Sequence, residues 1–83
     1  MNELKMLLMS QIDDMQQMNK EFVAKQLKIE QTLNELGQLW NGARNQSQQG
    51  ILDSLRSIAD DYRKMSETVW QGKEKLEQLM RVL

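Results

Sequence analysis

The chain has 83 residues, 40% apolar but only 5% aromatic, with a formal net charge of −1. It contains no cysteine, histidine or proline, which excludes disulfides, thiolate or imidazole metal sites and histidine acid–base chemistry. The charge balance lacks the clustered positive groups on which phosphate binding rests, so nucleic acid is not an expected partner.

The N-terminal segment Asn2-Glu3-Leu4-Lys5-Met6-Leu7-Leu8-Met9-Ser10 has an acidic residue early and only four consecutive apolar ones. That is neither a secretory leader nor an approach to the roughly 18 apolar residues of a membrane span. The expectation is a soluble chain without a cleaved signal and without membrane insertion. With four glycines and no proline, long helices are the default.

From Leu8 a strict alternation of four- and three-residue steps picks out Leu8, Ile12, Met15, Asn19, Phe22, Gln26, Ile29, Leu33, Leu36 and Trp40. Eight of these ten are apolar. A 3.5-residue period held this long is a coiled-coil seam and not a strand pattern, and it predicts helix 1 over about 3–41. The segment Asn41-Gly42-Ala43-Arg44-Asn45 follows, with a turn expected at about 42–45. Gly42 can take the positive-φ conformation that ends a helix. Asn45 with Gln48 three residues later fits a capping box.

Helix 2, expected over about 46–82, repeats the rhythm at Ile51, Leu55, Ile58, Tyr62, Met65, Val69, Gly72, Leu76, Leu79 and Leu83. The predicted fold is all-α: one domain over residues 1–83, an antiparallel two-helix hairpin. Its seam would pair positions whose numbers sum to about 91, so that Ile29 meets Tyr62, Phe22 meets Val69 and Asn19 falls opposite Gly72. Asn19 and Gln26 either fix the register or sit at the seam's edge.

A two-helix hairpin covers each helix on one side only. Leu7, Met18, Val23, Leu27, Leu39, Leu52, Ala59, Trp70 and Met80 remain apolar and outside the stripes. Small single cores supply only a few kcal/mol, so a four-helix bundle formed on dimerisation is expected. Leu7, Met18, Val23, Leu27, Leu52 and Trp70 are the expected partner interface.

The turn reads Leu39-Trp40-Asn41-Gly42-Ala43, with a Trp-x-Gly motif (Trp40, Asn41, Gly42) between two heptad stripes of equal length. In this the chain resembles the WXG family of small helical hairpins, substrates and partners of type VII secretion systems. Tryptophan brings a large area to the end of the bundle, and glycine lets the chain reverse beside it. The family's Tyr-x-x-x-Asp/Glu export signal is not matched. Four residues after Tyr62 stands Ser66, with Glu67 one place late, and no tail follows Leu83. The resemblance therefore implies a partner or targeting chaperone. Such a chain would bind another helical hairpin, or the helical N-terminal domain of an LXG-type toxin, in the bacterial cytoplasm. It would be exported, if at all, through type VII secretion without a cleaved signal. The alternatives are a secreted homodimeric effector and a cytosolic coiled-coil adaptor or chaperone of another secretion system.

No catalytic set, cofactor site or metal site is read from the remaining signals. Met6, Met9, Met15 and Met18 read as adaptable packing and not as thioether ligands. Asp13-Asp14 and Asp60-Asp61 are sequence neighbours, which on a helix do not face each other; both read as solvated, and no enzyme is expected. Lys73, Lys75 and Arg81 alternate with Glu74 and Glu77, too weak an asymmetry to steer a polyanion. Trp70-Gln71-Gly72 reads as a chance second Trp-x-Gly, with Trp70 an interface anchor.

Overall fold

Residues 2–39 include no proline and one glycine, and they form a single helix, α1 (Asn2–Leu39, 38 residues). The structure, a computed structural model, describes residues 2–42 and 44–83; Met1 and Ala43, the latter within the turn expected at about 42–45, lie outside the described residues. Past α1, the Trp40 N–H still donates to the Leu36 carbonyl at 2.8 Å, but the Asn41 N–H tightens onto Gln38 at 3.3 Å. Gly42 then turns the chain at a φ of 108°, a conformation with little cost only for glycine. The first helix thus stops two residues before the predicted Asn41.

The second helix, α2 (Gln46–Arg81, 36 residues), starts on a complete capping box. The Asn45 side chain accepts from the Gln48 N–H at 2.8 Å, and the Gln48 side chain accepts from the Asn45 N–H at 3.1 Å. Two of the helix's otherwise orphaned donors are satisfied in this way. At the other end Arg81 lies in the last turn, where a cation complements the helix dipole. No basic residue occupies the last turn of α1. There Arg44 reaches back from the turn and donates from Nε to the Trp40 carbonyl at 3.2 Å.

The helices lie antiparallel in a rod 63 × 14 × 14 Å, an all-α hairpin. All ten positions of the first stripe, nine on α1 from Leu8 to Leu36 and Trp40 just past it, are half-buried. On α2 the seam differs from expectation. Leu55, Tyr62, Val69 and Leu76 face α1 as predicted, but their companions are Leu52, Ala59, Ser66, Lys73 and Met80. The predicted companions Ile51, Ile58, Met65 and Leu79 are exposed, as is Leu83, while Gly72 is half-buried. The inward face of the helix is rotated by roughly 50°, about half a residue's turn, with the Leu55–Leu76 ridge common to both arrangements.

The register has moved as well. Phe22 packs against Tyr62 with ring centroids 6.1 Å apart, the Ser66 hydroxyl donates to the Asn19 side-chain oxygen, and the Met15 thioether covers Gly72. These pairs sum to 84–87 and not 91. The helix ends Leu39 and Gln46 sum to 85, so the short symmetrical turn sets the register.

Polar satisfaction accounts for the rotation. In the expected arrangement Asn19 would face Gly72, which offers no side-chain partner, and an unpaired buried polar group costs about 1–3 kcal/mol. Turned as it is, α2 offers the Ser66 hydroxyl instead. No buried side-chain nitrogen or oxygen lacks a partner among the described residues. Of the two polar seam positions, Asn19 lies within the seam, and Gln26 lies at its edge, donating to Glu30 at 3.1 Å.

Candidate partner-binding interface

On a helix at about 100° per residue, positions just before and four after a seam residue fall on opposite flanks. For α2 these flanks differ in chemistry. One carries Ile51, Ile58, Met65, Gly72 and Leu79; the other carries Gln49, Arg56, Arg63, Trp70 and Glu77. A groove of about 170 Å³ runs along the second flank, lined by Gln26, Glu30 and Leu33 of α1 and by Arg56, Ala59, Asp60 and Arg63 of α2. Glu30 therefore shares the charged side. By the same geometry Met18, Lys25, Thr32 and Leu39 of α1 lie on the other side, with the Ile51–Leu79 ridge. The hairpin has a charged side and a largely uncharged one.

The charged side is tied together along α2. Arg63 bonds both Asp60 and Glu67, Lys64 reaches Asp60 at 3.0 Å, and Arg56 reaches Asp53 at 3.1 Å. The hydrogen bonds from Arg63 and Lys64 hold the Asp60 carboxyl below its ordinary value of 3.8, and Asp60 in turn raises the Arg63 guanidinium. Every ion pair among the described residues is of this local i,i+3 or i,i+4 kind. None joins α1 to α2, so the seam alone holds the helices together.

Lys73, one of the cations that alternate with Glu74 and Glu77 in the sequence, is 7% exposed. Its ammonium pairs with Glu77 at 2.7 Å and lies 4.1 Å from the Trp70 ring centroid. The stem is buried in the seam while the head is held by a carboxylate and an aromatic face, as long cationic side chains permit. A hollow of about 290 Å³ beside them is lined by Trp70, Lys73, Glu74, Glu77, Gln78 and Arg81.

The residues expected at the partner interface do not form one patch. Leu52 is a correction: at 1% exposed it is the most buried apolar side chain among the described residues. Its neighbour Ile51 takes the outward position. Leu7, Met18, Val23, Leu27 and Trp70 are exposed, but on different faces. Met18 lies on the uncharged side, Val23 and Trp70 on the charged side, and Leu7 and Leu27 further round, away from α2. What the sequence reading missed is the ridge of Ile51, Ile58, Met65 and Leu79. A signal for it was present, because Ile51-Leu52, Ile58-Ala59 and Leu79-Met80 are adjacent apolar pairs, and one helical seam cannot use both members equally.

The turn motif is split. Trp40 is half-buried just past the end of α1, whereas Asn41 and Gly42 are exposed. Met6, Met9 and Met18 are exposed and Met15 is half-buried over Gly72. Asp13, Asp14 and Asp61 are exposed, and Asp60 is engaged by its two cations. No group of three or more acidic, histidine or cysteine side chains is placed to hold a metal ion among the described residues. No helix among the described residues is long and apolar enough to cross a membrane. No family model matches the chain, and no curated protein or solved structure does so either.

Proposed function

We propose that the hairpin is a helix-on-helix binding module that pairs with another helical hairpin, or with the helical N-terminal domain of a secreted toxin, and accompanies it to a type VII secretion machine. One observation carries the binding part of this reading. Fifteen large apolar side chains stay exposed, from Leu4 to Leu83, against two apolar residues, Leu52 and Ala59, that are buried among the described residues. A rod 14 Å thick has no interior in which to hide them, and exposed apolar area on this scale marks an interaction surface. The secretion part rests on the resemblance of Trp40-Asn41-Gly42 to the WXG motif; the positive φ of Gly42 bears on the turn itself.

The test is co-purification of the tagged chain with the products of adjacent genes, followed by export measured with and without it. The expected outcome is a stoichiometric helical partner whose export falls when this chain is deleted. Recovery of no helical partner would sink the reading, and unchanged export of a recovered partner would confine it to binding alone.

A further inference from the structure

We propose that the uncharged side of the hairpin is a self-docking face, and that a second copy of this chain occupies it with α2 packed antiparallel on α2 and Met65 at the two-fold axis. The inference rests on the helix-binding reading and adds a face and an occupant to it. Ile51, Ile58, Met65, Gly72 and Leu79 recur at seven-residue steps, so they form one ridge about 42 Å long at 1.5 Å per residue. Four of the five are apolar side chains left exposed by the hairpin's own seam.

That ridge is complementary to itself. Run antiparallel about its middle member, it sets Ile51 against Leu79, Met65 against Met65, and Ile58 against Gly72. A side chain would thus meet the one position that lacks one. The floor of that gap is the Met15 thioether, 3.5 Å from where a Cβ on Gly72 would lie. Methionine adapts to such a contact without a fixed shape.

Charge permits the same pairing. The positions bordering the ridge on α2 are Ser54, Asp61, Thr68 and Lys75. Antiparallel docking brings Asp61 beside Thr68 and Ser54 beside Lys75, so no like charges meet along α2; on α1 the same side carries Lys25 among Met18, Thr32 and Leu39. A net charge of −1 per copy adds little long-range repulsion. The opposite side, with Glu30, Arg56, Asp60 and Arg63 along its groove, would have to desolvate charged groups to pack on itself. Area permits a stable pair: at complete overlap the 63 × 14 Å side sets an upper bound of about 880 Å² per copy, or roughly 1,760 Å² for the pair, against the 1,200–2,000 Å² of stable complexes. A partner protein seeking the same apolar ridge would compete with the second copy, so the homodimer masks the docking face until a tighter partner displaces it.

The chain has no cysteine, which allows a direct test in the full-length protein. Under mild oxidation Met65→Cys should convert to a covalent dimer, whereas Arg63→Cys, two residues away on the charged side, should not. Light scattering should give two copies for the wild type and for Trp70→Ala, and one copy for the Ile58→Glu, Met65→Glu double variant with helical circular dichroism retained. If the double variant unfolds, the cross-linking contrast decides by itself. A wild type that is monomeric at micromolar concentration, or equal cross-linking from positions 63 and 65, would overturn the proposal. A monomer that still captures a helical partner would overturn only this inference; a dimer that captures none would leave it standing and remove the partner reading.

Discussion

Ile51 and Leu52 are neighbours in the chain and occupy opposite environments. Leu52 is almost wholly buried against α1, while Ile51 keeps 48% of its surface in solvent. The contrast repeats down α2, with Ala59 buried and Ile58 exposed, then Ser66 buried and Met65 exposed. The inward ribbon carries the smaller or more polar residue at both later steps, and the outward one carries the larger apolar group. An isolated hairpin maximising its own burial would turn the larger groups inward. Facing them outward leaves small residues where the helices meet and large apolar ones in solvent, so the rotation separates the ribbon that closes the hairpin from an apolar ridge that the hairpin itself leaves uncovered.

The largest expected effect tests that separation directly. Leu52→Ala should cost about 2–5 kcal/mol in urea unfolding, the range for truncating a buried leucine. Ile51→Ala should stay within about 0.5 kcal/mol, as an exposed change does, and should weaken self-association instead. Equal losses from the two would erase the distinction between the ribbons.

Asn19→Leu comes next, because it leaves the buried Ser66 hydroxyl without its acceptor; about 1–2 kcal/mol is expected. Combining it with Ser66→Ala should recover part of the loss in a double-mutant cycle. Simple additivity would mean that the pair does not choose which ribbon faces inward.

Gly42→Ala probes the turn on which the register depends. A Cβ there would meet nothing within 4 Å, so the cost of about 1 kcal/mol comes from the positive φ alone, read as a lower thermal midpoint with unchanged helicity.

The smallest effect belongs to the charged side. The Asp60 carboxyl titrates below its ordinary value because Arg63 and Lys64 bond its charged form. Its contribution to stability is therefore present above about pH 4 and is lost as pH falls through the lowered value. The stability difference between wild type and Asp60→Asn should be constant from neutral pH down to about 4 and vanish in stronger acid. A difference that persisted unchanged in acid would detach it from this carboxylate.

What the sequence disclosed and what it hid divide along range. Both helices, the α1 seam from Leu8 to Trp40, the Gly42 turn and the Asn45–Gln48 box were legible, because each depends on residues within a few positions or on a long period in a single helix. The α2 seam was not. Leu55, Tyr62, Val69 and Leu76 form a ridge with apolar residues on both flanks, and periodicity accepts either flank. The choice turns on Asn19 meeting Ser66, 47 positions away, which no local pattern contains. Leu52 and Trp70 were misplaced as one surface for the same reason: both lay outside the expected stripe, and lying outside it was not the same as pointing outward.

The short turn also bears on how the chain closes in time. Paired residues lie further apart in sequence the further they sit from Gly42, from Phe22 with Tyr62 to Met15 with Gly72. Each new pair then closes only a small additional loop once its inner neighbour has formed. Such a zipper, with contacts local to its advancing front, belongs among fast-folding topologies. It also unzips from the open end, where Met6, Leu7 and Val82 are among the most exposed apolar residues described. Amide protons there should exchange first, and those beside Leu52 last.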